Sequence, residues 1–115
     1  MATNEDEIPT VSLDELAPDA VILDVRDDDE WSKGHIDGAV HVPLERLANR
    51  MHYEPGELIT DEPIVVVCRG GGSRSARATA WLNENGFDAV KLDGGTRGWH
   101  ESGRPMAADN GDPTV

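Results

Sequence analysis

Residues 64–82 run from a continuous apolar stretch through three glycines into a helix-forming segment. Ile64–Val67 is a β-branched run with no polar alternation, which is typical of a strand buried in a parallel sheet. The glycines at 70–72 permit a tight turn, and helix-forming residues follow from Ser73 or Arg74. A strand that passes directly into a helix is the repeating unit of an α/β fold.

The same alternation of strand and helix extends over most of the chain. We predict further strands at 10–11, 21–25, 39–42 and 89–92, and helices that start at Ser12 and cover 28–33, 44–51, 73–85 and 96–102. The predicted fold is a central, mostly parallel sheet of about five strands, with helices on both faces. Residues 1–9 are expected to form a flexible acidic segment, 10–103 one domain and 104–115 a flexible tail.

Composition limits the partners of this domain. The 115 residues are enough for one hydrophobic core, and they carry 23 acidic against 10 basic side chains, a net charge of −13. This charge opposes a phosphate backbone, so we expect no nucleic-acid partner. No apolar run is long enough to cross a bilayer, so we expect no membrane partner either.

The single cysteine, Cys68, excludes an internal disulfide, and no Cys/His spacing of a metal site is present, so we expect no metal and no cofactor. A free thiol without an export signal fits a reducing cytoplasm. The dispersed acidic charge favours a halophilic source, although an acidic mesophilic protein has the same composition. Because no long hydrophobic seam is visible, we expect a monomer.

Cys68 stands where the apolar strand ends and the glycine turn begins. Backbone N–H groups of such a turn, and the positive end of the helix that follows, would lower the pKa of a thiol at its centre. Arg69, Arg74 and Arg77 are close in sequence, in a chain that is otherwise acidic. A buried structural cysteine is the commoner fate of a lone thiol, but the glycines and arginines favour a nucleophile.

Three segments together resemble the rhodanese family of sulfurtransferases. ILDVRDDDEWSKGHIDGAVHVPL at 22–44 and LDGGTRGW at 92–99 resemble its two signatures, and the cysteine loop lies between them. The resemblance covers roughly residues 10–103 and implies a single-domain rhodanese fold.

The resemblance also implies a mechanism. Cys68 would take sulfur from a small anionic donor such as thiosulfate, and pass it from a persulfide to a thiophilic acceptor or to the cysteine of another protein. The site would comprise the catalytic Cys68 and the loop residues that bind substrate, Arg69, Gly70, Gly71, Gly72, Ser73 and Arg74. Four further residues would support it: Asp24, Arg26, Glu30 and Ser75. We expect Arg26 to fix its loop by pairing with Glu30 or another carboxylate.

Two other functions fit the same residues. Five residues separate Cys68 from Arg74, a Cys-x5-Arg-Ser pattern shared with cysteine phosphatases and arsenate reductases, some of which have the rhodanese fold. Against these, Val67 precedes the cysteine where those phosphatases usually have histidine. The second alternative is a non-enzymatic domain that carries persulfide between proteins or binds a partner.

Overall fold

The computed structural model describes residues 8–70, 72–109 and 111–114. Its strands are β1 Thr10–Val11, β2 Ile22–Asp24, β3 His35–Ile36, β4 Val40–His41, β5 Ile64–Val67, β6 Ala89–Leu92 and β7 Met106–Ala107. Its α-helices are α1 Asp28–Lys33, α2 Leu47–Tyr53, α3 Ser73–Glu84 and α4 Gly95–Glu101. Single 3-10 turns occupy Leu13–Glu15, Leu44–Arg46 and Gly56–Leu58.

Five strands form one parallel sheet in the order β1-β6-β5-β2-β4, which confirms the predicted α/β fold. The apolar run at 64–67 is its central strand, and all four of its residues are buried. Val66 pairs with Leu23 of β2 on one side and with Lys91 of β6 on the other. Continuous apolar sequence is needed here because both faces of the strand are covered.

Alternate residues of β5 face two separate apolar clusters, because side chains point to opposite faces of a strand in turn. Ile64 and Val66 join a cluster that contains α2 and α3 residues, among them Leu47, Met51, Ala78 and Leu82. Val65 and Val67 join a second cluster against which Trp99 of α4 packs. The helices therefore cover both faces, as predicted, and each fully buried aliphatic side chain contributes roughly 1.5–3 kcal/mol.

Local sequence determines where α1 begins and ends. Asp27 precedes the helix, and its backbone N–H donates to Glu30 Oε1 at 3.2 Å, as in a capping box. The helix covers the predicted 28–33 and ends before Gly34, whose N–H donates to the carbonyls of Glu30 and Trp31. The predicted helix after Ser12 is shorter than expected, a single 3-10 turn.

The second sheet was not predicted. β3 and β7 pair in antiparallel fashion, His35 with Ala107 and Ile36 with Met106. Strands of two residues have no periodicity to detect, and β7 lies inside the segment 104–115 that we expected to be flexible. The carbonyl of Pro105 also accepts hydrogen bonds from the Asp37 N–H and from Trp99 Nε1, at 3.2 and 2.9 Å.

The predicted N-terminal segment 1–9 lies mostly outside the described residues, but Ile8 is buried and the Pro9 carbonyl accepts from the Lys91 N–H. The domain boundaries at 9 and 103 stay predictions. Within the described parts of the chain, no helix is long and apolar enough to span a bilayer.

Candidate active site

Cys68 follows β5 at the carboxyl end of the parallel sheet, where ligands bind in open α/β folds. Asp24, the last residue of β2, pairs with Val67 and so lies beside the start of the cysteine loop. The loop after β6 reaches the same place, because Thr96 N–H donates to the Cys68 carbonyl at 2.9 Å. The segments after β2, β5 and β6 therefore meet around Cys68.

The Cys68 sulfur is buried, with 3% of the residue exposed, and it lies within a set of hydrogen-bond donors. Ser75 Oγ is 3.2 Å from Sγ. The backbone N–H groups of Gly72 and Ser75 are also directed at the sulfur. These groups belong to the turn before α3 and to its first turn, where backbone N–H groups have no partner within the helix.

Burial raises the pKa of the Cys68 thiol, but hydrogen bonds outweigh it. The hydroxyl and backbone N–H of Ser75, the N–H of Gly72 and the charge of Arg74 all favour the thiolate, and the net pKa lies below the ordinary thiol value. A lowered pKa increases the thiolate fraction at neutral pH, and the thiolate is the nucleophilic form.

The Ser75 hydroxyl lies between two acceptors. Its oxygen is 3.1 Å from the Gly72 carbonyl and 3.2 Å from Cys68 Sγ. When Cys68 is a thiol, S–H donates to Ser75 Oγ and the hydroxyl donates to Gly72. When the thiol ionises, one rotation of the hydroxyl turns that hydrogen to the sulfur. Ser75, expected only to support the site, is thus a direct partner of the sulfur.

Arg74 is ion-paired with Glu30. Arg74 Nη1 lies 2.5 Å from Glu30 Oε1 and Nη2 lies 3.1 Å from Oε2, a fork geometry across two elements. The hydrogen bond to Arg74 lowers the pKa of Glu30 despite partial burial, and the same bond raises the pKa of Arg74. Arg74 was predicted to bind substrate. In the structure its guanidinium donates hydrogen bonds to the Glu30 carboxylate of α1.

The carboxylate paired with Arg26 is Asp24, not Glu30. Arg26 Nε lies 3.0 and 3.1 Å from the two Asp24 oxygens, and Nη2 donates to Oδ2 at 2.8 Å and to the Gly34 carbonyl at 2.6 Å. Both residues are essentially unexposed. The pair therefore holds the end of β2 against the end of α1, which agrees with a supporting role for both residues.

The remaining loop residues differ in exposure. Arg69, Gly70, Gly72 and Ser73 are exposed, and Gly71 lies outside the described residues. Arg77, which the sequence grouped with the other arginines near Cys68, instead lines a cavity of about 440 Å³ with α2 residues and Trp81.

The loop after β6 contributes anchors that sequence reasoning missed. Gly94 and Gly95 adopt φ angles of 82° and 57°, in the left-handed region that glycine reaches without cost. This turn directs the N–H groups of Thr96 and Arg97 to the carbonyls of Cys68 and Arg69, each at 2.9 Å. The sequence signal for these anchors was the pair Gly94 and Gly95, followed by the small polar residue Thr96.

His35 has a structural role in packing against α1. Its ring stacks on Trp31 with 3.6 Å between ring centroids, and Nδ1 donates to the Trp31 carbonyl at 2.8 Å. His41 stacks on the same indole at 4.6 Å, and its Nε2 donates to the Arg26 carbonyl at 2.8 Å. The stack fixes α1 against β3 and β4. Among the described residues, no group of three or more His, Cys, Asp or Glu side chains could hold a metal ion.

The model of the rhodanese-like domain matches residues 11–102. This chain belongs to the rhodanese-like domain family. It is 45% identical over 82 residues to the thiosulfate sulfurtransferase GlpE of Shewanella oneidensis, across 70% of this chain and 76% of that protein. It is 38% identical over 108 residues to the chloroplastic thiosulfate sulfurtransferase 16 of Arabidopsis thaliana, across 86% and 89%.

Solved rhodanese structures have the same fold. A rhodanese-related protein of Thermoplasma volcanium superposes with a TM-score of 0.68 at 27% identity, covering 86% of this chain and 97% of that chain. A rhodanese-like domain protein of Staphylococcus aureus gives a TM-score of 0.69 at 28% identity, covering 90% and 100%. The predicted family is thereby confirmed.

Proposed function

We propose that this rhodanese-like domain is a sulfurtransferase that moves sulfane sulfur from a donor such as thiosulfate to a thiophilic acceptor through a persulfide of Cys68. The observation that carries the proposal is the ring of donors around the sulfur, from Ser75 Oγ and from the N–H groups of Gly72 and Ser75. The names of the two curated relatives above point to the same activity.

The chemistry balances without a cofactor. The Cys68 thiolate attacks the outer sulfur of thiosulfate, an S–S bond forms to Cys68, and the original S–S bond breaks with its electron pair leaving on sulfite. The product is the Cys68 persulfide anion. In the second half-reaction a nucleophile such as cyanide or a thiolate attacks the terminal sulfur, and the Cys68 thiolate is regenerated. The thiolate needs no general base, and the lowered pKa of Cys68 increases the fraction of the protein in this form.

The loop donors suit this intermediate. The persulfide anion carries its charge one sulfur further from the backbone than the thiolate does. N–H groups fixed before the reaction stabilise the developing negative charge, as an oxyanion hole does for oxygen.

The Glu30–Arg74 pair weighs against a phosphatase or arsenate reductase. In Cys-x5-Arg chemistry the arginine clamps two oxygens of a tetrahedral oxyanion with two parallel N–H groups. Here Nη1 and Nη2 of Arg74 are already bonded to the two oxygens of Glu30, which leaves only the Nε edge for an oxyanion. Sulfur transfer needs no such clamp, because the attacked atom is the outer sulfur.

Turnover assays distinguish the candidate functions. We expect thiocyanate to form from thiosulfate and cyanide, and its formation to be abolished in Cys68→Ser. The same preparation is expected to hydrolyse no p-nitrophenyl phosphate and to reduce no arsenate. Hydrolysis or arsenate reduction that depends on Cys68, without thiocyanate formation, would replace sulfur transfer with the alternative chemistry.

We further propose that the sulfur acceptor is the cysteine of another protein, that the domain is a monomer in the cytoplasm, and that its source is halophilic. The net charge of −13 supports the last, because such a surface stays dispersed at high salt. Loading of Cys68 without multiple turnover would favour a protein-to-protein persulfide carrier.

A further inference from the structure

A surface cavity of about 250 Å³ lies beside the cysteine loop. Five residues from three parts of the chain line it: Arg26, Glu30, Lys33, Arg69 and Thr114. Arg69 directly follows the nucleophile, and Glu30 holds Arg74, whose charge lowers the pKa of Cys68. The cavity therefore lies beside the loop that holds the sulfur.

The charges that line this cavity do not cancel. Arg26 is neutralised by Asp24 at 2.8 Å, and Glu30 is neutralised by Arg74 at 2.5 Å. Lys33 and Arg69 are exposed, and within the described chain neither side chain forms an ion pair. Two positive charges without an ion-pair partner among the described residues thus line one cavity in a chain whose net charge is −13.

From this arrangement we infer that Lys33 is a specificity-determining residue, which together with Arg69 makes the cavity a subsite for a small sulfur oxyanion donor. The inference deepens the proposed sulfur transfer and rests on it. A donor of two negative charges is repelled by the acidic surface as a whole, so local positive charge at the site raises both its local concentration and its rate of encounter.

The backbone of Lys33 is fixed at the rim of the cavity. Its carbonyl accepts from the Thr114 N–H at 2.8 Å, so the C-terminal segment forms one wall. The next residue, Gly34, gives its carbonyl to the buried Arg26 guanidinium at 2.6 Å. A lysine on a held backbone keeps its side chain at the cavity that it lines, while its flexible stem leaves the ammonium group free to follow the donor.

Arg74 is the residue that its place in the loop predicts for donor binding, but Glu30 occupies its fork. Lys33 adds from α1 a positive charge that forms no ion pair within the described chain. It is one of only two lysines in the chain, and the other, Lys91, lies on β6 and pairs through its backbone with β1. Lys91 therefore provides a matched control.

The test compares Lys33→Met, Lys33→Arg and Lys91→Met in two assays. The first measures kcat/KM for thiosulfate with cyanide in excess. The second needs no sulfur transfer: it measures the rates at which Cys68 reacts with sulfonatoethyl methanethiosulfonate, an anion, and with neutral methyl methanethiosulfonate. In both reagents the thiolate displaces methanesulfinate and forms a mixed disulfide, so their ratio reports the local potential rather than reactivity.

Lys33→Met is expected to lower kcat/KM for thiosulfate about tenfold at low ionic strength, since the variant removes one unit charge that attracts a dianion. The anionic-to-neutral reagent ratio should fall about threefold, because that reagent carries one charge. Both effects should disappear in about 1 M salt, where the Debye length is about 3 Å. Lys33→Arg should remain within about twofold of wild type, as should Lys91→Met.

The two assays separate the inference from the proposed function. An unchanged reagent ratio in Lys33→Met, with thiosulfate turnover intact, would overturn the role of Lys33 and leave sulfur transfer standing. Absence of thiosulfate turnover in wild type would overturn the donor assignment together with the proposed function. A fall of equal size in Lys91→Met would show a general charge effect and would also overturn the subsite.

Discussion

Arg74 and Glu30, 44 positions apart in the chain, form a two-bond ion pair that joins the first turn of α3 to α1. The pair fixes the guanidinium whose charge contributes to the lowered pKa of Cys68. It also links the signature segment at 22–44 to the cysteine loop. The position of the cysteine loop therefore depends on a contact made at a distance along the chain.

We predict that Glu30→Gln weakens folding at neutral pH by about 1 kcal/mol, as expected for a partly exposed pair of good geometry. The pKa of Glu30 is lowered in the folded state, so its contribution is present above the ordinary carboxyl pKa and is lost as pH falls through the lowered value. Urea unfolding of both proteins from pH 7 to acid should show the difference shrinking. Glu62→Gln, at an exposed position, is the control. A difference that is constant with pH would contradict the ionic origin.

Ser75→Ala should raise the pKa of Cys68 and slow its alkylation by iodoacetamide at neutral pH by roughly tenfold, because a hydrogen bond to a charged group contributes about 1.5 kcal/mol or more. A pH profile of the alkylation rate measures the effect, and the rate at high pH should be little changed. Thr79→Val is the matched control, one turn later on α3 and equally buried.

The Thr79 hydroxyl has no hydrogen-bond partner within the described residues, so its removal should leave the alkylation profile unchanged and the stability equal or higher. Equal shifts in the two variants would show that α3 is disturbed as a whole, which is not the effect expected from Ser75.

Arg26→Met should be severely destabilising. It leaves the Asp24 carboxylate buried without its partner, and loss of one member of a buried pair costs about 3–5 kcal/mol. The double variant Asp24→Asn/Arg26→Met should recover part of this loss, because no unpaired charge remains. Chemical denaturation of Arg26→Met, Asp24→Asn and the double variant measures the coupling free energy between the two residues. Additive losses would show that the two residues act independently.

Gly34→Ala tests whether the C-terminal segment forms a wall of the cavity. Gly34 has an extended backbone, so alanine brings no strain of its own, but its Cβ would lie 2.7 Å from the Thr114 nitrogen and closer still to the Thr114 carbonyl. We expect faster hydrogen exchange at the Thr114 amide, at a cost of about 0.5 kcal/mol or less because the segment can move away. Gly56→Ala, where a Cβ meets nothing within 4 Å, should leave this amide unchanged. Unaltered exchange in Gly34→Ala would contradict the contact.

The sequence was sufficient for the parallel sheet, for the bounds of α1 and for the position of Cys68. Each of these depends on local signals: an uninterrupted apolar run, a short helix-forming segment that ends at Gly34, and glycines at a strand end. The β3–β7 pair was missed because strands of two residues have no period. The partners of Arg26 and Arg74 were not determined either, because several carboxylates were available and only the fold selects among them.

Mass spectrometry of the intact protein after incubation with thiosulfate tests the central claim most directly. We predict a gain of one sulfur atom, ~32 Da, which is reversed by cyanide and absent in Cys68→Ser. An unchanged mass in the wild-type protein, under conditions in which iodoacetamide still alkylates Cys68, would contradict the persulfide and with it the proposed sulfur transfer.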